Sequence, residues 1–193
     1  EHQNLSPDEE ALKYLNNEKN INEIKDALDG ARHILMELFA EHADLLAKLR
    51  QKLWNESLLT SKVKDGKNEE GVKFSDYFEY AELIKLVPSH RALAVLRGNN
   101  EGVLDIAIAY QADEIPKTQV SQYEEIILNT FNIQNNQPTS IWLMGSVRLA
   151  WRAKIFISLE TELIGKMKEN AEIEAIKVFA KNFYQSDFDP NKD

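Results

Sequence analysis

The sequence predicts a mainly α fold, a multi-helix bundle-like array with an αα-hairpin and at most a short β element. Three observations carry this. Only 7 glycines and 5 prolines interrupt 193 residues, so few points break a helix. Long stretches are rich in Ala, Leu, Glu and Lys, which lose least on entering a helix. Apolar residues recur at spacings of three and four over much of the chain, which aligns them on one helical face. At 43% hydrophobic, the chain can close a sizeable core.

The elements follow in order. "LSPDEEALKYL" starts a first short helix, with Ser6 as N-cap, Pro7 at the first helical position and Glu9 completing a capping box. Ile21, Ile24, Leu28, Ala31, Leu35 and Leu38 form the stripe of a second helix. Leu45, Leu46, Leu49 and Leu53 repeat the pattern in "ADLLAKLRQKLW", which reads as its antiparallel neighbour in an αα-hairpin. "TSKVKDGKNEEGVKF" breaks the period; turn signals at Asp65-Gly66 and Gly71 separate β-compatible pieces at residues 58–64 and 72–74, giving an exposed loop or marginal hairpin. "PSHRALAVLRGNNEG" predicts a short helix that starts at Pro88-Ser89, buries Ala92, Leu93, Val95 and Leu96, and stops at Gly98.

"GVLDIAIAY" alternates as a short strand or buried extended segment, so at most two short strands are expected. "IPKTQVSQYEEIILNTFNI" is a modest amphipathic helix, and "QNNQPTS" a polar linker with Pro138 ahead of another N-cap. From Thr139 to about Ser186 the pattern is almost continuously helical, with breaks expected near Ser158 and Asn170. Trp142, Leu149 and Phe156 recur every seven residues, and Val147, Trp151 and Ile155 every four, which predicts a helix over 139–157 buried on two faces. Ile176, Phe179, Ala180 and Phe183 stripe the last helix. A composition change near 113–117 divides the chain into 1–115 and 116–193.

Charge and composition narrow the function classes. With 23 Lys and Arg against 32 Asp and Glu the formal net charge is -9, so the average field repels polyanions and any nucleic-acid contact requires a local basic patch. Zero cysteines remove disulfides, thiolate zinc sites and cysteine nucleophiles, and they fit a reducing compartment. No stretch has the twenty or so apolar residues of a membrane span, and the N-terminus lacks a signal-peptide pattern, so a soluble chain is expected. A chain that begins at Glu1 and ends at "DPNKD" is expected to be a piece of something longer.

Candidate chemistry concentrates between Phe74 and Leu104. Asp76, Ser89 and His90 supply the residue types of a hydrolytic triad, but adjacent helical side chains diverge by about 100° and no strained nucleophile turn is present, so a helix start is the stronger reading. "RGNNEG" is neither a dinucleotide turn nor a P-loop and reads as a helix C-cap, with Gly102 permitting close approach. His33 and His42 lack metal-ligand spacing, and "DFDPNKD" resembles only the opening of a calcium loop. Neither a metal nor a cofactor is expected. The aromatics Phe74, Tyr77, Phe78 and Tyr80 could stack on bases while Lys73, His90, Arg91 and Arg97 bind phosphates. Against that, the aromatics serve a core, and Arg91 and Arg97, six apart and on different sides, tie acidic partners or helix carbonyls; this second reading is favoured. In it Tyr77, Phe78, Pro88, Gly98, Glu101 and Gly102 form a structural hub.

"VKFSDYFEYAELIKLVPSHRALAVLRGNNEGVL" closely resembles the long signature of the bacterial Tex family of transcription accessory proteins. "ALDGARHILMELFAEHADLLAKLRQKLW" is similar to that family's helical hairpin, and "AWRAKIFISLETEL" with "AEIEAIKVFAKN" to the segment preceding its RNase H-like domain. The resemblance runs from about Leu12 to Asn182 and departs at "FYQSDFDPNKD". It implies the N-terminal and central helical region of a larger protein, without the YqgF, helix-hairpin-helix and OB-fold modules that carry most of the family's nucleic-acid binding. Lys73, His90, Arg91, Arg97, Glu101 and Gly102 match the signature as positions, and the resemblance carries over no catalytic residue. The expectation is a non-enzymatic, cytoplasmic helical scaffold. Its contacts with RNA or DNA and with transcription machinery belong to the full-length molecule and are weak or absent for this chain.

Overall fold

The computed structural model describes residues 6–110, 119–134 and 139–187, with side chains to residue 183. It is mainly helical with one small antiparallel sheet. The chain forms two compact units: residues 1–51 with 114–159, and residues 52–113 with 160–193. The boundary expected at 115/116, and the linker with Pro138, lie outside the described residues.

In the first unit, α1 (Pro7–Ala11) begins with the predicted capping box: Ser6 Oγ accepts from Glu9 N–H at 3.2 Å, and the Glu9 carboxylate accepts from Ser6 N–H at 3.0 Å. Helix α2 (Ile24–Glu41) and α3 (Ala43–Glu56) both form, but His42 alone separates them. An antiparallel hairpin needs about 2–5 loop residues, so α2 lies along α6 (Ser140–Ala150) instead of along α3. His42 serves as the α3 cap, its Nδ1 accepting from Leu45 N–H at 3.2 Å. None of the six expected stripe residues is fully buried: Ile21, Ile24, Leu28 and Leu35 are half-buried and Ala31 and Leu38 exposed, whereas Phe39, outside that stripe, is inside.

Helix α5 (Gln122–Thr130) packs on α6 from another side, so α6 has neighbours on two sides, as its two stripes predict. Val147, Ala150, Trp151 and Ile155 are buried. Leu149, expected inside, is 43% exposed. A π-helical turn over Trp151–Ile155 joins α6 to α7 (Phe156–Asp187). The wider turn shifts the helical phase, so Phe156 leaves the face set by Trp142 and Leu149, both of which precede the turn.

The second unit holds the sheet. Strands β1 (Leu58–Val63), β2 (Glu79–Leu83) and β3 (Leu104–Ala109) pair antiparallel in the order β2-β1-β3, with Leu59 opposite both Glu82 and Ile108. Three strands replace the two expected. The piece at 72–74, read as β-compatible, belongs to a 3-10 turn over Val72–Tyr77, and the partner strand comes later, at β2. Helix α4 (Ser89–Asn100) packs on β3. Phe74, Val103 and Leu104 form the local core, with Val63, Tyr77 and Phe78 packed against it.

Helix α7 is continuous through Ser158 and Asn170, where breaks were expected. Both residues are exposed and neither removes a backbone donor, so the turn is kept. In this unit Leu163, Met167 and Ala171 bury one α7 face at intervals of four. The Glu160 carboxylate accepts from Ile108 N–H at 2.8 Å, covering an edge amide of β3.

Candidate functional site

All sequence-derived candidates lie in the second unit, around α4 and its junctions with β2 and β3. Helix α4 starts where expected, with Pro88 as N-cap in extended conformation. It does not stop at Gly98 but runs to Asn100. Gly98 sits inside the helix because its face touches the core: a Cβ there would lie 2.5 Å from Leu104 Cδ1 and 3.3 Å from Phe74 Cδ1. The left-handed residue is Gly102, at φ 74°. Val103 N–H donates to the Gly98 carbonyl at 2.9 Å and Gly102 N–H to the Asn99 carbonyl at 3.0 Å, the pair of bonds that defines a Schellman cap. The chain thus leaves α4, turns at Gly102 and enters β3 with Val103 and Leu104 directed inward.

The basic candidates surround this junction. Lys73 Nζ is 2.5 Å from Glu101 Oε2 and 5.0 Å from the Phe74 ring centre. Arg97 Nε is 3.5 Å from Glu101 Oε1, so one carboxylate serves both cations. Arg91 Nη1 donates to Glu82 Oε2 at 3.0 Å, and Tyr80 Oη donates to the same oxygen at 2.5 Å. The two arginines therefore reach different carboxylates, as their spacing predicts. Both pairs are near the surface; the Arg97 side chain is 75% exposed.

The Glu82 cluster has a clear electrostatic signature. The Tyr80 hydroxyl, with smaller help from Arg91 and His90, holds the Glu82 carboxyl below its usual value. Burial, together with the anionic Glu82, pushes the Tyr80 phenol well above its own. Tyr77 packs edge-on to Tyr80 with ring centres 5.4 Å apart, and Phe78 turns toward the Phe74 core. Neither arrangement leaves the aromatic series Phe74, Tyr77, Phe78 and Tyr80 as one open platform, because Phe74 is buried. The Tyr80–Glu82 pair was missed from sequence. Two residues apart is same-face spacing only once residues 79–83 are known to be a strand.

Asp76 is exposed in the 3-10 turn, Ser89 is the first residue of α4, and His90 is exposed on the next position. No hydrogen bond links the three among the described residues. No group of three or more His, Cys, Asp or Glu side chains poised for a metal occurs among the described residues. No described helix is long and apolar enough to cross a membrane.

These features define a helix-rich region built round a small antiparallel sheet, with three of its four basic candidates already on carboxylates. Comparison with known proteins gives the family. A family model described as Tex central region-like matches residues 2–179, and the chain belongs to the Tex family. It is 56% identical over 169 residues to the transcriptional accessory protein Tex of Neisseria gonorrhoeae, covering 88% of this chain and 22% of that protein. It is 49% identical over 182 residues to protein YhgF of Escherichia coli, covering 93% and 23%. It is 43% identical over 177 residues to protein tex of Bordetella pertussis, covering 89% and 22%. The chain spans less than a quarter of the length of these relatives.

Proposed function

We propose that this chain is a non-enzymatic helical scaffold of a cytoplasmic transcription accessory protein, whose contacts with RNA or DNA and with transcription machinery are made by the full-length molecule. The observation that carries this reading is the pairing of Lys73 and Arg97 with Glu101 and of Arg91 with Glu82. The nearby carboxylates offset the charge of these cations, and a net charge of -9 opposes the approach of a phosphate. The name of the gonococcal relative supports the link to transcription. In this reading Tyr77, Phe78, Pro88, Gly98, Glu101 and Gly102 are the structural hub that sets the path from β2 through α4 into β3.

The test is a fluorescence-anisotropy titration of labelled single- and double-stranded DNA and RNA of about 20 nucleotides at ~0.15 M salt. A full-length Tex-family polypeptide binds, and this chain binds weakly or not at all. Submicromolar binding by the chain alone, lost in Lys73→Ala and Arg97→Ala, overturns the scaffold reading and makes the region a nucleic-acid module in its own right.

A further inference from the structure

The two edges of the small sheet differ. At the β3 edge the Glu160 carboxylate takes the Ile108 amide, whereas β2 has no strand beyond it and no such cover among the described residues. Ile84 N–H donates to the Ser57 carbonyl at 3.0 Å and Val63 N–H to the Phe78 carbonyl at 3.1 Å, which sets the phase of the β1–β2 ladder. Bonded positions alternate in an antiparallel pair, so the backbone of Tyr80 and Glu82 faces β1. The N–H and C=O groups of Glu79 and Ala81, and the N–H of Leu83, point away from it. None of these outward groups has a hydrogen-bond partner among the described residues. Glu79 and Ala81 are exposed. The strand carries no lysine, proline or bulge, devices that close an edge to an added strand.

Backbone and side chains together select an occupant. Free donors and acceptors at alternate residues of an extended strand are matched by another extended backbone, not by a helix, whose amides are spent internally. Antiparallel addition lets one opposing residue serve both groups of Ala81. Tyr80 and Glu82 then fall at non-bonded positions, where facing side chains come closest. Both hydrogen bonds to Glu82, from Tyr80 and Arg91, end on Oε2, and Oε1 has none among the described residues. A hydroxyl opposite Glu82 can donate to it, and threonine offers that hydroxyl on a strand-favouring side chain. Opposite Tyr80, whose ring meets Tyr77 edge-on, a β-branched residue extends the packing. Charge does not choose, since Glu79 stands opposite Lys62 in register and Glu82 is paired with Arg91. We propose that the outer edge of β2 is a docking site for an extended segment of a protein partner, added as a fourth, antiparallel strand with Thr opposite Glu82 and a β-branched residue opposite Tyr80.

The experiment titrates the isotope-labelled 193-residue chain with the peptide Ser-Gln-Thr-Ser-Val-Gln-Ser, acetylated and amidated at its ends and followed by NMR. Its central Ser faces Ala81, its Thr Glu82 and its Val Tyr80. The peptide binds with a Kd on the order of 0.1 mM and slows hydrogen exchange at the amides of Glu79, Ala81 and Leu83. N-methylation of the central Ser amide, which points at β2, weakens binding by about tenfold or more, and N-methylation of the Val amide, which points away, does not. Val in place of the peptide's Thr weakens binding by about threefold or more. Ala81→Pro blocks the edge at a position where the fold tolerates proline, because the lost N–H faces outward. Leu83→Pro, where φ is already -54°, stands in should Ala81→Pro fail to fold. Absence of binding, equal weakening by the two N-methylations, equal binding of the Thr and Val peptides, or binding indifferent to both proline variants overturns the proposal. Two further outcomes reassign the edge and overturn it as well. One is protection of the Ala81 amide that rises with chain concentration and no peptide, which makes a second copy the occupant. The other is binding by the chain but not by a full-length Tex-family polypeptide, which makes the occupant another segment of the same molecule.

Discussion

Lys73 and Glu101 form an ion pair at 2.5 Å on the surface of the sheet-bearing unit, and the second oxygen of the same carboxylate faces Arg97 at 3.5 Å. One acidic side chain thus offsets part of the charge of two exposed cations. Glu101→Gln removes the negative charge and keeps the side chain's shape. The variant is expected to bind single-stranded oligonucleotides more tightly than the parent, with the log–log salt slope steeper by about 0.7 to 1.4, since each phosphate contact on a single strand contributes ~0.7. Anisotropy titrations across a salt series measure both. Unchanged affinity and slope would mean that freeing these cations does not create a phosphate site.

Exposure decides the worth of the same pairs to stability. Arg97 pairs with Glu101 at i,i+4 on the helix surface, and such exposed pairs contribute about 0.3–0.5 kcal/mol. Arg97→Ala should therefore lower stability by no more than about 0.5 kcal/mol in urea unfolding. A loss above about 1 kcal/mol would show that the guanidinium satisfies a buried acceptor.

The glycines at the end of α4 separate two kinds of constraint. Gly98→Ala gains the helix propensity of alanine, about 1 kcal/mol, but drives a methyl into Leu104, which is fully buried. Overpacking of this kind costs about 1–3 kcal/mol, and a net loss of stability is expected. Gly102→Ala meets no neighbour within 4 Å and fails for a different reason, the strain of φ 74° on a residue with a Cβ, about 1–2 kcal/mol. A Leu104→Val background tells the two apart: it relieves Gly98→Ala and leaves Gly102→Ala unchanged.

Local chemistry in the sequence foretold the parts of the fold that local chemistry controls. The Ser6 capping box, the start of α4 at Pro88-Ser89 and the β3 segment are specified by residues within a few positions of one another, whereas β1, read as an exposed loop or marginal hairpin, became the central strand only through its later partners. What escaped depended on partners distant in the chain. The α2 leucines and isoleucines mark an apolar stripe but not that α6, more than a hundred residues later, would cover it. Gly98 looked like a stop signal because its neighbour Leu104 is brought against it only by the turn at Gly102. The basic residues were legible as candidates and the i,i+4 spacing of Arg97 and Glu101 is local, yet the partners of Lys73 and Arg91 followed only from the fold that brings Lys73 to Glu101 and from β2 strand geometry.

Trp151 and Tyr123 stack with ring centres 4.9 Å apart and planes 6° from parallel, and both are buried. Trp151→Ala leaves a cavity the size of an indole and should cost about 3–5 kcal/mol. Because Trp151 opens the π turn, its loss is also expected to weaken protection of the amides over 151–155 in hydrogen exchange. A cost below about 1 kcal/mol would place the indole in solvent.

The Tyr80–Glu82–Arg91 cluster gives the pH dependence a sign. The Glu82 carboxyl sits below its usual value near 4.5, first because of the Tyr80 hydroxyl, so the folded state holds its anion more strongly than the unfolded chain does. Its contribution to stability is fully present above pH 4.5 and is lost as pH falls through the lower folded value. Tyr80 titrates above its usual value of 10, so its share is present below pH 10 and fades as pH rises beyond it. Tyr80→Phe removes the largest cause and should return the Glu82 carboxyl toward 4.5, read directly from its side-chain carbon resonance in an NMR titration. The same variant flattens the acid limb of the stability curve below pH 4.5, while Arg91→Ala moves the carboxyl less. If Tyr80→Phe leaves the Glu82 titration where it was and Arg91→Ala shifts it, the guanidinium rather than the phenol controls the carboxylate, and the hydrogen bond at 2.5 Å contributes little to it.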